Sequence, residues 1–229
     1  IESCVTALDL DLWKKPFFQK VRDFFLYCSR PNDEFWAFGD GAERGPRNQA
    51  SRGLILRSLM SHYAQRLNDP AAQWWAEQVP LDDLDIANPV TPMLLGTDII
   101  GSVSNRENMA VFKDVGWVAM HSDLSDLDND VFFLFKSSPY GSISHSHGDQ
   151  NSFYISVGGR ALAIPSGYYG PVYNMPHHAE WTRSTKANNN ILVNGVGQRL
   201  RDYKSNGFIT DYHKGEKISY VCGIAANAC

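Results

Sequence analysis

The chain has 229 residues, of which 43% are hydrophobic, and its formal net charge at pH 7 is -4. This length allows one or two domains with a sizeable core, and the mild negative charge gives no sign of a nucleic-acid partner. No apolar run reaches the roughly eighteen residues that a membrane-spanning helix needs, so no membrane partner is expected.

The two ends of the sequence lack the features of native termini. The chain starts at Ile1 with neither an initiator Met nor a targeting segment, and it stops at Cys229 without a closing element, so we expect an internal fragment of a longer protein. Cys4, Cys28 and Cys222, like Cys229, show no CxxC spacing and are too few for a disulfide scaffold, which favours buried free thiols.

Residues 1–79 carry helical periodicity. Between 52 and 67, apolar residues recur at four-residue steps and predict a helix with one broad apolar face. Asp69 followed by Pro70 predicts the N-cap and the first position of a short second helix. The glycine-rich, charged segment 38–46 is either a surface turn or a loop that lines a substrate cleft. We assign 1–79 to the end of a helical domain.

The prolines and aspartates of residues 80–108 predict a linker, after which the periodicity becomes that of β-strands. The predicted strands are 109–122, 131–136, 151–158, 160–165, 190–198, 207–212 and 217–223. The strand at 131–136 is apolar on both faces and should be an inner strand, and the glycine-containing pairs at 158–159 and 214–215 predict hairpins. Helices followed by strands, with 109–229 as the sheet domain, predict an α+β multidomain chain.

His145 and His147 form the first candidate site. On a strand, side chains two residues apart share a face, so both imidazoles would point into one space. Such a pair suits proton transfer, metal ligation or binding of an anionic substrate, or is a hydrogen-bonded structural pair. An unbroken strand continuing to Phe153 would turn both rings towards the core, and Gly148 offers a break that would release them.

A second polar cluster follows about twenty residues later in the chain. It comprises Tyr168, Tyr169, His177, His178, Trp181 and Arg183. Aromatic rings and a guanidinium group in a loop suit sugar stacking and bidentate binding of a carboxylate. The alternative is that the aromatic rings are buried under the loop and that the arginine is solvated.

These motifs resemble the heparinase II/III-like polysaccharide lyases, and most closely the oligoalginate lyase branch. The resemblance covers nearly the whole chain. It rests on SHSHGDQNSF (144–153), LAIPSGYYG (162–170) and HHAEWTRSTKANNNILVNGVGQ (177–198), with weaker matches at 11–18, 38–43 and 220–228. Members of this family have an α/α toroid followed by antiparallel β-sheet domains. The resemblance therefore implies the C-terminal end of an α/α toroid followed by the first part of an antiparallel β-sandwich.

The resemblance also implies β-elimination at a uronic acid. The enzyme neutralises the C6 carboxylate, a base removes the C5 proton, and an acid protonates the departing O4. The first histidine of the HxH motif, here His145, belongs to the family's catalytic group, whereas an Asn/His pair and a Tyr come from the toroid and should precede Ile1. This chain by itself is therefore expected to be inactive. The residues expected to bind the substrate are Gln150, Asn151, Tyr168, Tyr169, His177, His178 and Arg183.

Relatives such as heparinase II hold a structural zinc ion through a His, an Asp and a second His. The corresponding positions here are His147, Pro165 and Asn188. Two of the three ligands are lost, since Pro165 has no donor in its side chain, and no metal or other cofactor is expected at a site of the family type. Residues that could act as substitute ligands are Asp149, His177 and His178.

The expected function is that of a lyase acting on an acidic, uronate-containing oligosaccharide or polysaccharide, alginate first. The alternatives are a lyase for heparin or heparan sulfate, a carbohydrate-binding sandwich without catalysis, and a cupin-type metal enzyme. From its relatives the protein is expected in the bacterial periplasm or cytoplasm.

Overall fold

The computed structural model describes residues 7–31, 38–41, 46–79, 98–166 and 174–229. The chain divides into two compact units. One contains Ile1–Asn32 and Arg47–Arg106, and the other contains Asp33–Pro46 and Glu107–Cys229. We call them the helical unit and the sheet unit. Within the described residues, no helix is both long and apolar enough to cross a membrane.

The described part of the helical unit contains helices α1 (Pro16–Cys28), α2 (Pro46–Leu67) and α3 (Pro70–Glu77). Each begins at a proline, whose fixed φ suits the first helical position and whose missing N–H is not needed there. The predicted cap of α3 is confirmed, because the Asp69 carboxylate accepts hydrogen bonds from the backbone N–H groups of Ala71 and Ala72, at 2.8 and 3.2 Å. Helix α2 begins earlier than the periodicity indicated.

The sheet unit contains a five-stranded antiparallel sheet whose strands follow one another in chain order, and a separate hairpin. The five strands are β1 (Met109–Phe112), β2 (Trp117–His121), β3 (Val131–Lys136), β4 (Ser152–Val157) and β5 (Arg160–Ala163), and the hairpin consists of β6 (Phe208–His213) and β7 (Tyr220–Ile224). Strand β3 is the central strand, which confirms the prediction from its two apolar faces. Both predicted hairpins, β4–β5 and β6–β7, are confirmed.

Two strand predictions are wrong. The segment 109–122 is two strands rather than one, because the backbone reverses before Gly116, which has a φ of 71°. The segment 190–198 forms no strand and makes a single isolated bridge between Val193 and Val196. Its ends are instead fixed by side chains, since the Asn190 and Gln198 amides both donate to the backbone carbonyl of Gln150, at 2.8 Å each.

The two faces of the five-stranded sheet are filled differently. On one face, Met109 and Val118 pack with Ile209 from the hairpin, so the β6–β7 hairpin covers this side. On the other face, Leu134 and Tyr154 are buried opposite each other on β3 and β4. The connection from the end of β3 to the start of β4 carries the HxH motif, so the centre of the sheet fixes both ends of that loop.

The cysteine prediction is right in part. Cys28, Cys222 and Cys229 are free thiols, but only Cys28 of these three is buried. Burial raises the pKa of the Cys28 thiol well above its ordinary value. Cys4 lies outside the described residues.

Candidate functional site

Three imidazoles surround one carboxylate in the sheet unit. Oδ1 of Asp40 lies 2.8 Å from Nε2 of His147 and 2.7 Å from Nε2 of His178. The other oxygen, Oδ2, lies 2.9 Å from Nδ1 of His145. We call these four residues the Asp40 cluster. The histidines are 105 to 138 residues away from Asp40 in sequence, so the fold rather than a local motif assembles them.

Asp40 lies on a short helical turn, Gly39–Gly41, whose contacts fix its position. Its backbone N–H donates to the carbonyl oxygen of His145 at 3.0 Å. Gly39 has a φ of 76°, and a Cβ at this position would lie 2.8 Å from the same carbonyl oxygen, so the close approach requires glycine. The buried ring of Phe38 packs edge-on against Trp117, with ring centroids 5.0 Å apart, and anchors the turn to β2.

The histidine pair lies in a loop and not on a strand. Ser144 has a φ of 52°, a left-handed conformation that is uncommon without glycine. Arg183 holds this loop, because its Nη2 donates to the carbonyl oxygens of Ser144 and Ser146, at 2.6 and 2.9 Å, on either side of His145. The two imidazoles therefore do meet in one space, but a guanidinium group and a tight turn bring them there rather than strand alternation.

His178 enters the cluster from a π-helix, His177–Thr182. π-Helical turns are rare in proteins, and those that occur frequently lie at functional sites. The Nδ1 atom of His178 accepts a hydrogen bond from the backbone N–H of Asn174 at 3.0 Å. Since a neutral imidazole carries its proton on only one nitrogen, this bond assigns the proton of His178 to Nε2, facing Asp40.

The cluster has a buried side and an exposed side. The side chains of His147 and His178 are 3% and 1% exposed, and that of Asp40 is 8% exposed, whereas that of His145 is 73% exposed. Burial by itself would raise the pKa of Asp40, but hydrogen bonds from His147, His178 and His145 outweigh it and hold that pKa well below its ordinary value. Asp40 is therefore an ionised carboxylate at neutral pH that orients an exposed imidazole.

Gln150 and Arg183, both predicted to contact the substrate, are buried. Oε1 of Gln150 accepts from the backbone N–H of Ser138 at 2.6 Å, and its Nε2 donates to the carbonyl of Ser205 at 3.2 Å. Because these hydrogen bonds go to the backbone, as do those of Arg183, the geometry supports a structural role for both side chains and not a direct substrate contact.

The other predicted binding residues lie in three different settings. Asn151 is half-buried and donates to the carbonyl of Gly223 at 3.0 Å. His177 is exposed on the π-helix beside His178. Tyr168 and Tyr169 lie outside the described residues. Trp181, on the same helix as His177, is 42% exposed, and its Nε1 donates to Oγ of Ser166 at 3.0 Å.

Sequence reasoning missed the roles of Asp40 and Lys136. Asp40 belongs to the segment 38–46, for which a surface turn and a loop lining a cleft were both open interpretations, and no local pattern links it to the histidines. Lys136 ends the apolar strand β3, and its ammonium group pairs with Asp149 at 2.6 Å while both side chains are buried. A lysine that ends an apolar inner strand needs a buried counter-ion, and that signal was present in the sequence.

The positions that the family resemblance assigned to zinc do not fit an ion. Pro165 has no donor, and the Asn188 amide donates to the carbonyl of Ser184 at 2.8 Å. A different set of side chains does fit a metal ion. Asp40, His147 and His178 offer three ligand atoms that all lie within 4.8 Å of one another. One carboxylate and two imidazoles are a donor set that Zn²⁺ accepts.

A family model described as heparinase II/III-like, C-terminal, matches residues 104–218. The chain belongs to the heparinase II/III-like family. The match contains the three histidines of the Asp40 cluster, while Asp40 itself precedes it in the sequence. A comparison with curated proteins found no match at a significant level.

Solved structures that share the fold of this chain are named heparan sulfate lyase or heparinase III. A heparan sulfate lyase, HepC, from Pedobacter heparinus aligns with a TM-score of 0.61 and 13% identity over 93% of this chain and 29% of its own. A heparinase III with methylated lysines gives a TM-score of 0.61 and 12% identity over 90% of this chain and 27% of its own. Another heparinase III aligns with a TM-score of 0.58 and 15% identity over 86% of this chain and 28% of its own.

The chain spans less than a third of the length of these structures. At such identities the likeness concerns the fold, and it confirms the predicted fold class, the end of an α/α toroid followed by the first part of an antiparallel β-sandwich. Heparinase II/III-like membership is shown, and the oligoalginate branch is not distinguished within it.

Proposed function

We propose that the protein is a polysaccharide lyase that cleaves uronate-containing glycans by β-elimination. Membership of the heparinase II/III-like family supports this reaction class. The observation that carries the proposal is the exposed imidazole of His145, whose Nδ1 is held by the ionised carboxylate of Asp40. An exposed, oriented imidazole is suited to meet the carboxylate of an acidic sugar.

In the proposed reaction, His145 acts on the uronate through the ring nitrogen opposite Asp40. Because Nδ1 donates its proton to Asp40, Nε2 faces the substrate. In the imidazolium form Nε2 would donate a hydrogen bond to the C6 carboxylate, and in the neutral form it would accept a proton. Neutralising that carboxylate makes the C5 proton more acidic and stabilises the enolate-like charge that forms on its removal. A preorganised donor of this kind contributes about 3 kcal/mol to stabilising the transition state.

The remaining steps are assigned to the toroid of the whole protein, as the family resemblance implies. A base there removes the C5 proton, and an acid protonates O4 as the C4–O4 bond breaks, which leaves a C4–C5 double bond. His177 and Trp181, exposed on the π-helix next to His178, are proposed to contact the sugar ring, since an indole offers an apolar face for stacking. Tyr168 and Tyr169 remain proposed substrate contacts, as does Asn151.

Alginate is the proposed substrate, and heparan sulfate is the second candidate. The motif resemblance to oligoalginate lyases favours alginate. The similarity in fold to a heparan sulfate lyase favours the second candidate. Both polymers contain uronic acids whose C6 carboxylate could lie against the same imidazole.

The test is formation of unsaturated product by the full-length protein. Alginate, heparan sulfate, heparin and chondroitin are incubated with it, and the ultraviolet absorbance of the new C4–C5 double bond is followed. We expect product from at least one uronate polymer. A protein that binds these polymers without releasing unsaturated product would support a carbohydrate-binding module instead and would contradict the lyase proposal. His213→Ala, at an exposed histidine outside the cluster, is the matched control for His145→Ala.

A further inference from the structure

We propose that Asp40, His147 and His178 bind a Zn²⁺ ion, through a ligand set different from the one that the family resemblance implies. The inference goes beyond the proposed lyase function and does not depend on it. It rests on three donor atoms that converge from three separate segments of the sheet unit: the Gly39–Gly41 turn, the loop before β4 and the π-helix.

The two distances from the Asp40 carboxylate to the imidazoles suit an ion after a small expansion. Ligand atoms about 2.0–2.2 Å from a tetrahedral zinc ion lie about 3.3–3.6 Å from one another. In the structure, Oδ1 of Asp40 lies 2.8 Å from Nε2 of His147 and 2.7 Å from Nε2 of His178. An outward shift of about half an ångström would therefore open the space that a zinc ion occupies. With three protein ligands, the fourth position would remain for water, as in many zinc sites.

The composition of the set matches what the lost positions would have supplied. The resemblance assigns zinc to a His, an Asp and a His, of which this chain keeps His147. Asp40 supplies a carboxylate in place of the one missing at Pro165, and His178 supplies an imidazole in place of the one missing at Asn188. The chain would thus keep two imidazoles and one carboxylate while drawing two of the three ligands from other segments.

The surroundings favour retention of an ion once it is bound. The His147 and His178 side chains are nearly completely buried, which limits competition from water. In the structure, the backbone N–H of Asn174 donates to Nδ1 of His178. Because a neutral imidazole bound to zinc through Nε2 carries its proton on Nδ1, binding requires Asn174 to release that bond. Asn174 is exposed, so this change stays local.

The site has a consequence for His145. Oδ1 of Asp40 faces the two buried imidazoles, while Oδ2 accepts the hydrogen bond of His145. The Asp40 carboxylate would therefore bind the ion through Oδ1 and His145 through Oδ2. It would limit the movement of the His145 ring relative to the ion. A bound zinc ion would connect the turn, the loop and the π-helix, because each of them supplies one ligand.

Equilibrium zinc binding tests the proposal without any measurement of lyase activity. The full-length protein is stripped of metal with a chelator, then titrated with zinc chloride by calorimetry, and the bound metal is counted by elemental analysis. We expect one zinc ion per chain and a higher Tm with zinc than without it. Asp40→Asn, His147→Gln and His178→Gln should each lose stoichiometric zinc and the rise in Tm, whereas His177→Ala should keep both.

Two results would overturn the proposal: a wild-type protein that binds no zinc, or zinc that all three ligand variants retain. A cobalt-substituted wild-type protein removes the risk that a variant fails to fold. Its spectrum should lack a thiolate charge-transfer band, and a strong band of that kind would assign the metal to cysteines such as Cys222 and Cys229. Absence of lyase activity leaves these readouts unchanged, so failure of the proposed function and failure of the zinc site are distinguishable.

Discussion

His145 and Gln150 are five positions apart in one polar motif, and their environments are opposite. The ring of His145 is largely exposed and depends on Asp40, a residue from a remote segment. Gln150 is fully buried and hydrogen bonds to the backbone at Ser138 and Ser205. A single polar motif therefore combines an exposed imidazole with a buried amide that hydrogen bonds to the backbone.

The two ends of the motif also differ in what a substitution would remove. Removing the imidazole of His145 removes a group that faces solvent, so the fold loses little. Removing the amide of Gln150 leaves the buried N–H of Ser138 and the buried C=O of Ser205 without the hydrogen bonds that Gln150 supplies. This loss destabilises the folded state. Activity and stability should thus respond separately, and the following substitutions test that separation.

The largest effect is expected from His145→Ala. The value of kcat/KM for the uronate polymer that the full-length protein cleaves should fall by about 10²–10⁴-fold. The Tm should stay close to that of the wild-type protein, since the side chain is exposed. Steady-state kinetics and a thermal melt on the same preparation give both numbers, and a loss of Tm that accounts for the lost activity would make the residue structural.

Lys136→Met should reduce the free energy of unfolding by about 3–5 kcal/mol, because it leaves the Asp149 carboxylate buried without its counter-ion. Denaturant unfolding measures the loss. The double variant Lys136→Met with Asp149→Leu should recover part of it, since no unpaired charge remains. A double variant as unstable as the sum of the two single ones would show that the ion pair is not the cause.

Gln150→Ala should reduce the free energy of unfolding by about 2–4 kcal/mol, through the loss of its hydrogen bonds to Ser138 and Ser205. In the fraction that stays folded, kcat should change much less than in His145→Ala. Denaturant unfolding and kinetics at low temperature check the two parts. A large fall in kcat with unchanged stability would restore Gln150 as a substrate-binding residue.

Gly39→Ala should reduce the free energy of unfolding by about 1–2 kcal/mol, because the new Cβ meets the His145 carbonyl and the positive φ is unfavourable for alanine. It should also move Asp40 away from the histidines. The NMR resonances of the His145 imidazole would report this displacement, and unchanged resonances would mean that the turn tolerates a side chain.

Local features were predictable from the sequence, and the assembly of the cluster was not. The Asp69 cap, the inner strand at 131–136 and the hairpin at 158–159 depend on residues close together in the chain. The contact between Asp40 and His145 joins segments 105 residues apart, and no local pattern encodes it. Nor does an amide such as that of Gln150 differ in sequence according to whether it binds a sugar or a backbone group.

A crystal structure of the full-length protein with a bound uronate oligosaccharide tests the central claim most directly. The account predicts the C6 carboxylate of one uronate within about 2.6–3.2 Å of Nε2 of His145, with Nδ1 still hydrogen-bonded to Asp40. A sugar bound away from His145, or an imidazole that has left Asp40, would contradict it.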